Sequence, residues 1–216
     1  MQRLRGMCWA LSCRGNCPGG EEMSGSFDIL IVGIGGQGTI LASNILGEAC
    51  LIERRHVKGA ETHGMAQRGG SVESHIRIDG LFGPQIPPGQ ADLLISFDLL
   101  EALRYSHYLK KGGKMVVNRH LVLPTSVYTQ NLAAPSEDEI IAALKKHELC
   151  LLDADTMAEE AGSPLSQNVV MLGAASQSMP LKPESLLLAI KNLVPKKTIE
   201  INVKAFETGR EFGGTC

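Results

Sequence analysis

Four short, unbroken apolar runs punctuate this chain: Ile29-Leu30-Ile31-Val32, Leu93-Leu94-Ile95, Met115-Val116-Val117 and Leu149-Cys150-Leu151-Leu152. Runs of this length without polar interruption predict strands buried on both faces, as in a parallel sheet. Stretches of helical period separate them. One runs from Thr39 to about Ile52, and a second, opened by Asp98 and Glu101 as a capping box, reaches about Tyr108 and gives way to Lys111-Gly112-Gly113. Ser136 with Glu139 makes another capping box, ahead of Ile140, Ile141 and Leu144.

One segment has a different period. Val72, Ser74, Ile76 and Ile78 take one face while Glu73, His75 and Arg77 take the other. Such alternation predicts a half-solvated strand, at an edge or antiparallel to its neighbour. Asp79-Gly80 then reads as a turn, and Pro84, Pro87 and Pro88 mark a loop. Beyond Asp153 the pattern is helical, at 168–175, 183–193 and from 196 to about 212, with Ile199, Val203 and Phe206 on one face of the last. Strands alternating with amphipathic helices predict a three-layer α/β/α domain. It is Rossmann-like, with a mostly parallel sheet, an added antiparallel or edge strand and C-terminal helices. Its site belongs at the carboxyl ends of the strands.

Composition removes several classes of function. A chain of 216 residues, 44% hydrophobic, can bury one substantial core. Its net charge of −2 offers no basic face for nucleic acid, and its 4% aromatic content offers no base-stacking platform. No apolar run approaches the roughly 20 residues of a membrane-spanning helix. Of six cysteines, Cys50 and Cys150 lie in apolar segments and are expected as inert core thiols, with Cys216 in the tail. Cys8, Cys13 and Cys17 supply three of the four thiolates that an iron–sulfur cluster uses. A cytoplasmic protein without a disulfide framework is expected.

Residues 1–22 show neither strand nor helix period, and Met23-Ser24-Gly25-Ser26 makes a natural start just before the first run. Gly19-Gly20-Glu21-Glu22 would be encoded by purine-rich codons, as a translated ribosome-binding site would be. The expected organisation is a non-native or disordered extension over 1–22 and a single domain over 23–216.

Candidate chemistry gathers after the first strand. Gly33-Ile34-Gly35-Gly36-Gln37-Gly38 leads into Thr39 and fits a G-x-G-x-x-G turn between strand and helix. A dinucleotide would also need an acid at the end of the second strand. Glu53 has the spacing but no apolar strand before it, and Glu61 follows Val57-Lys58-Gly59-Ala60, too polar for an interior parallel strand. The same turn could simply let a helix pack close to its strand. Residues 54–70 offer Arg54, Arg55, Lys58 and Arg68, with His56 and His63, over a glycine-rich loop. That loop could hold a phosphate or carboxylate, or lie solvated on the surface. His56, His63 and His75 match no metal-ligand spacing. Ser43, Ser71 and Ser96 lack a nucleophile elbow, and Asp153 and Asp155 sit where helix caps are commoner than catalytic carboxylates.

Read together, Gly33-Ile34-Gly35-Gly36-Gln37-Gly38-Thr39 and the later Val57-Lys58-Gly59-Ala60-Glu61-Thr62-His63-Gly64-Met65-Ala66-Gln67-Arg68-Gly69-Gly70-Ser71-Val72 resemble the gamma-type domain of 2-oxoacid:ferredoxin oxidoreductases. Ala91-Asp92-Leu93-Leu94-Ile95 and Asn168-Val169-Val170-Met171-Leu172-Gly173-Ala174 extend the likeness over 27–212. The His63-Gly64-Met65-Ala66-Gln67 form is similar to the indolepyruvate branch, whereas relatives acting on pyruvate or oxoglutarate usually carry a tyrosine- and proline-containing version. The resemblance implies oxidative decarboxylation of an arylpyruvate to an aryl-acetyl-coenzyme A, with electrons passed to ferredoxin. It implies thiamine diphosphate, Mg2+ and 4Fe-4S clusters on a larger alpha subunit. This chain would then be the beta subunit, with no cofactor or catalytic residue of its own, in a heterodimer or heterotetramer that takes coenzyme A as co-substrate.

On that resemblance Gly33, Gly35, Gly36, Gln37, Gly38 and Thr39 face the partner or coenzyme A. Glu61, Thr62, Gln67, Arg68, Gly69 and Gly70 line the cleft, and Arg54, Arg55 and Lys58 hold coenzyme A phosphates. The alternatives are a gamma-type subunit for pyruvate or branched-chain oxoacids, a free-standing NAD(P)-dependent dehydrogenase, and a coenzyme A- or nucleotide-binding regulator.

Overall fold

A computed structural model describes residues 25–63, 70–124, 127, 129–130 and 133–216. The extension expected over 1–22 lies outside the described residues. The apolar runs form β1 (Phe27–Ile34), β4 (Ala91–Ser96), β5 (Leu109–Asn118) and β6 (Glu148–Leu152), all mutually parallel. β2 (Val57–His63) and β3 (Ser71–Ile78) form a hairpin whose second strand pairs antiparallel with β1. Among the described residues the sheet order is β2-β3-β1-β4-β5-β6.

Alternate residues of the runs serve two cores. Ile29, Ile31, Leu93, Ile95 and Val116 pack under α1 (Thr39–Ile52), α4 (Ala154–Ala161), α5 (Gln167–Ala175), α6 (Pro183–Leu193) and α7 (Ile199–Gly213). Leu30, Val32, Leu94, Met115 and Val117 pack under α2 (Leu99–Tyr105) and α3 (Glu137–Leu144). Helices on both faces of one sheet make the three layers that the pattern predicts, with the helical C-terminus stacked on one side.

Several local expectations change in context. β3 alternates as read, but its polar face is buried as well. His75 and Arg77 are 3% and 8% exposed, because Arg77 forms a bidentate pair with Asp28 and His75 Nδ1 accepts the Ile86 amide at 3.2 Å. Burial holds the His75 imidazole below its ordinary pKa, opposed by Glu73. The strand is antiparallel and interior; the edge belongs to β2. Val57–His63 is therefore a strand and not a solvated loop, its polar residues being tolerated because it has a single strand neighbour.

Ser136 and Glu139 complete their capping box. Asp98 caps α2 alone, accepting the Leu100 and Glu101 amides, because the Glu101 carboxylate is drawn to Ser71 and Arg104. The helix accordingly ends at Tyr105, followed by one 3-10 turn at Ser106–Tyr108, and Lys111-Gly112-Gly113 becomes part of β5. Cys150, expected as a core thiol, is disulfide-bonded to Cys216 and ties the tail to the edge strand β6. Cys50 remains free and buried, and desolvation pushes its thiol up to about 12.

Candidate functional site at the carboxyl edge of the sheet

Two motifs far apart in sequence meet where β1 ends and β3 begins. Ile34 pairs with Ser71, and the Gly35 amide donates to the Gly70 carbonyl at 2.9 Å. Gln37 turns back into the loop. Its Oε1 accepts the Ile34 amide at 2.7 Å, and its Nε2 donates to the Phe97 carbonyl at 3.3 Å, tying the turn to the end of β4. That fold requires Gly33, where a Cβ would lie 2.8 Å from Gln37 Oε1 and 3.0 Å from Phe97 Cβ. Gly38 has φ +81° and accepts Asn168 Nδ2 from the start of α5 at 3.3 Å. Gly36, at φ +110°, has no atom within 4 Å of where a Cβ would stand, so its outer side is open. Thr39 is buried in the first turn of α1.

The chain beyond the turn is anchored from both sides. Glu61 on β2 accepts the Ser43 hydroxyl of α1 at 2.7 Å, leaving the residue exposed beside Thr62. Ser71 donates to Glu101 at 2.5 Å and lies 3.3 Å from the Tyr105 hydroxyl, whose pKa burial raises. Gln67, Arg68 and Gly69 lie outside the described residues. Farther along the same edge, Asp98 is fully buried and accepts the Val122 amide at 2.7 Å; desolvation raises its pKa against the pull of those amide donors. Asn118 holds the Ala154 amide and Asp155, which in turn meets His120 Nδ1 at 2.9 Å. Asp153 caps α4 through the Thr156 amide, which holds its carboxyl below the usual range.

Arg54, Arg55 and Lys58 are not part of this cluster. They lie at the start of β2, where Val57 pairs with Ile78 and Ile78 with Phe27, at the opposite edge of the sheet. Arg55 pairs with Asp79 and donates to the Pro180 carbonyl, and Lys58 donates to the Leu81 and Phe82 carbonyls. The reason is topological: β2 runs parallel to β1, so a residue before β2 and one after β1 are separated by a strand's length, about 20 Å or more.

The turn itself is a poor dinucleotide loop. The amides of Ile34, Gly35 and Gln37 are already donated within the protein. What remains toward solvent is Gly36 and the first turn of α1, which no side chain caps. Among the described residues, no group of three or more His, Cys, Asp or Glu could hold a metal ion, and no helix is long and apolar enough to cross a membrane.

The family model of pyruvate ferredoxin/flavodoxin oxidoreductase matches residues 28–212. The chain belongs to that family. It is 40% identical over 189 residues to indolepyruvate oxidoreductase subunit IorB of Thermococcus kodakarensis, covering 85% of this chain and 94% of the relative. The subunit of the same name from Methanothermobacter thermautotrophicus is 37% identical, with 88% and 98% covered. Among solved structures, the gamma subunit of the keto/oxoacid ferredoxin oxidoreductase from Geobacter sulfurreducens superposes with a TM-score of 0.66 at 25% identity, over 88% of this chain and 99% of that one. A 2-oxoglutarate:ferredoxin oxidoreductase chain from Magnetococcus marinus shares the fold at TM-score 0.68 and 19% identity, this chain covering 31% of its length.

Within this family of oxidoreductases, both motifs that carried the resemblance fall inside the matched residues. Asn168, Phe97, Ser71 and Glu101, which position them, were not singled out as site residues. Asn168 lies in a helix-start pattern and Glu101 in a capping pattern, and neither reveals its distant partner.

Proposed function

We propose that this chain is the beta subunit of a cytoplasmic indolepyruvate ferredoxin oxidoreductase. The observation that carries the choice of substrate is a gap in identity. The chain is 37–40% identical to indolepyruvate oxidoreductase subunits from four archaea. It is 28–32% identical to subunits named for 2-oxoglutarate, pyruvate or ketoisovalerate.

In this reading the carboxyl edge faces a larger alpha subunit. That subunit carries thiamine diphosphate, Mg2+ and 4Fe-4S clusters, which supply the decarboxylation and electron chemistry. The balance is one arylpyruvate, one coenzyme A and two oxidised ferredoxins giving aryl-acetyl-coenzyme A, CO2, a proton and two reduced ferredoxins. This chain supplies the wall. Gly33, Gly35, Gly36, Gln37, Gly38 and Thr39, with Glu61, Thr62 and the segment Gln67, Arg68, Gly69 and Gly70, close the cleft and exclude water. The uncapped first turn of α1 suits a phosphate of coenzyme A, and Arg68, two residues before Gly70 in sequence, is the motif's cation proposed to meet it. Ile40 and Leu165, both exposed, stand on that first turn and just before α5, giving a partner apolar surface beside it.

The test is anaerobic steady-state kinetics of the chain co-expressed with its large companion. The expected result is ferredoxin reduction that requires both chains and coenzyme A, with kcat/KM for indolepyruvate exceeding that for pyruvate by about tenfold or more. Preference for pyruvate, or binding of NAD(P) by the isolated chain in calorimetry, would overturn it. Arg68→Ala should raise KM for coenzyme A by roughly tenfold, the worth of a charge-assisted contact, without loss of assembly. Unchanged kinetics would remove Arg68 from the site.

A further inference from the structure

Among the described residues β6 has a strand on one side only, and the chain after α7 is drawn back to it. Cys216 bonds to Cys150 in the middle of β6, 66 residues away, enclosing α4, α5, α6 and α7 between the two cysteines. The two halves of the bridge have different surroundings. Cys150 is 8% exposed and belongs to the core under those helices, whereas Cys216 is exposed. Beside the bridge lies a gap of about 80 Å³, with Met115 and Val116 of β5, Leu149 of β6, Ala174 of α5 and Gly213 among its walls.

The seat of α7 does not depend on sulfur. Its backbone meets that of α5 at Gly209 and Gly173. Arg210 Nη1 donates to Ser176 Oγ at 2.9 Å, and Gln177 Nε2 donates to the Arg210 carbonyl at 3.2 Å. Beyond Gly213 the amides turn back into α7 itself, Gly214 donating to the Arg210 carbonyl at 3.2 Å and Thr215 to the Phe212 carbonyl at 2.9 Å. The helix is thus docked by packing and polar contacts, and the residues after it are linked to β6 by the covalent bond.

We propose that the Cys150–Cys216 bridge is a redox-controlled clasp, opened in the folded protein by a small dithiol, which releases residues 214–216 from β6 and leaves α7 docked. A thiolate of the dithiol attacks the exposed Cys216 sulfur, the bond to Cys150 breaks, and Cys150 leaves as a thiolate that takes up a proton. The second thiol of the reagent then displaces Cys216, and the reagent departs as its own cyclic disulfide. Two electrons and two protons pass to the protein, and exchange with a small disulfide reverses the step. Exposed bridges are the labile kind, so a dithiol-rich compartment holds the clasp open. Opening bares the gap beside β5 and β6 to water, which loosens this corner of the domain and not the whole.

Alkylation of the full chain with iodoacetamide, read peptide by peptide in a mass spectrometer, reports the clasp directly. Neither Cys150 nor Cys216 should be labelled before reduction, and both should be labelled after dithiothreitol without denaturant. Buried Cys50 is the internal control and should stay unlabelled in both states. Reduction should leave far-ultraviolet circular dichroism unchanged and lower the melting temperature by about 5–15 °C, the span expected of a bridge closing a long loop. Hydrogen exchange should quicken at β6 and the last turn of α7, and not at β1 or β4. Cys216→Ser, a change at an exposed position, should melt with the reduced wild type and no longer respond to dithiothreitol. Labelling of Cys150 and Cys216 before reduction would overturn the proposal, as would a bridge from either of them to Cys8, Cys13 or Cys17. So would a bridge that opens only in denaturant, labelling of Cys50 together with the pair, or a dithiothreitol response that survives Cys216→Ser. No substrate or companion enters these measurements, so they stand or fall separately from the arylpyruvate kinetics.

Discussion

Gly209→Ala should destabilise the domain by about 3 kcal/mol or more, at the upper end of overpacking costs, as read by urea denaturation. α5 and α7 cross with their backbones in contact. An added Cβ at Gly209 would collide with the Val170 carbonyl oxygen and stand 2.8 Å from its carbon. At Gly173 it would collide with the Phe206 carbonyl and stand 2.9 Å from the Arg210 amide nitrogen, and at Gly213 it would strike Ala174. The obstructing atoms are main chain, so no rotamer change relieves the clash. α5 is buried from Asn168 through Ala175 and has nowhere to shift. The control is Gly47→Ala in α1, where no atom lies within 4 Å of the new Cβ. That change should stabilise by roughly 0.5–1 kcal/mol through helix propensity. A loss below about 1 kcal/mol at Gly209 would contradict the close crossing. The consequence reaches the site, because the first turn of α5 supplies the Asn168 amide that holds Gly38.

Arg77→Met should cost about 3–5 kcal/mol, because it leaves the Asp28 carboxylate buried without its partner. The two side chains are 9% and 6% exposed and share two hydrogen bonds, at 3.0 and 2.9 Å. The double variant Asp28→Leu, Arg77→Met should recover most of that loss, since removing both charges also removes their desolvation cost. A double variant no more stable than Arg77→Met would show that the damage lies elsewhere, in the lost Arg77 contact to the Gly83 carbonyl.

Several features were legible because their causes are local. Apolar runs marked β1, β4, β5 and β6 through burial on both faces. Ser136 and Glu139 marked the start of α3 because both halves of a capping box lie within one turn, and Pro183 opened α6 where a missing amide costs nothing. Local rules failed where a distant group competed. Glu101 has the spacing of a capping-box acid, yet Ser71, thirty residues away, takes its carboxylate. His75 and Arg77 alternate like solvent-facing residues, yet Asp28 and the chain at Ile86 bury them.

For the candidate site, the glycine turn and the residues after β2 could be recognised as two motifs, and their order matched a known family. Their contact could not be read from either, since it depends on β3 returning antiparallel so that Gly70 reaches Gly35. The same hairpin leaves Arg54, Arg55 and Lys58 at the far edge, because the length of β2 separates them from Gly70. It also left β2 at the edge, where its polarity is no obstacle. The pairing of Cys150 with Cys216 across a separation of 66 residues belongs to the same class. Periodicity, caps and turns act over one or two turns of chain and are written in neighbouring residues. Strand order, the direction of β3, the glycine contact of α5 with α7 and the buried ion pair arise from residues dozens of positions apart. Packing brings them together, and no short-range pattern encodes it.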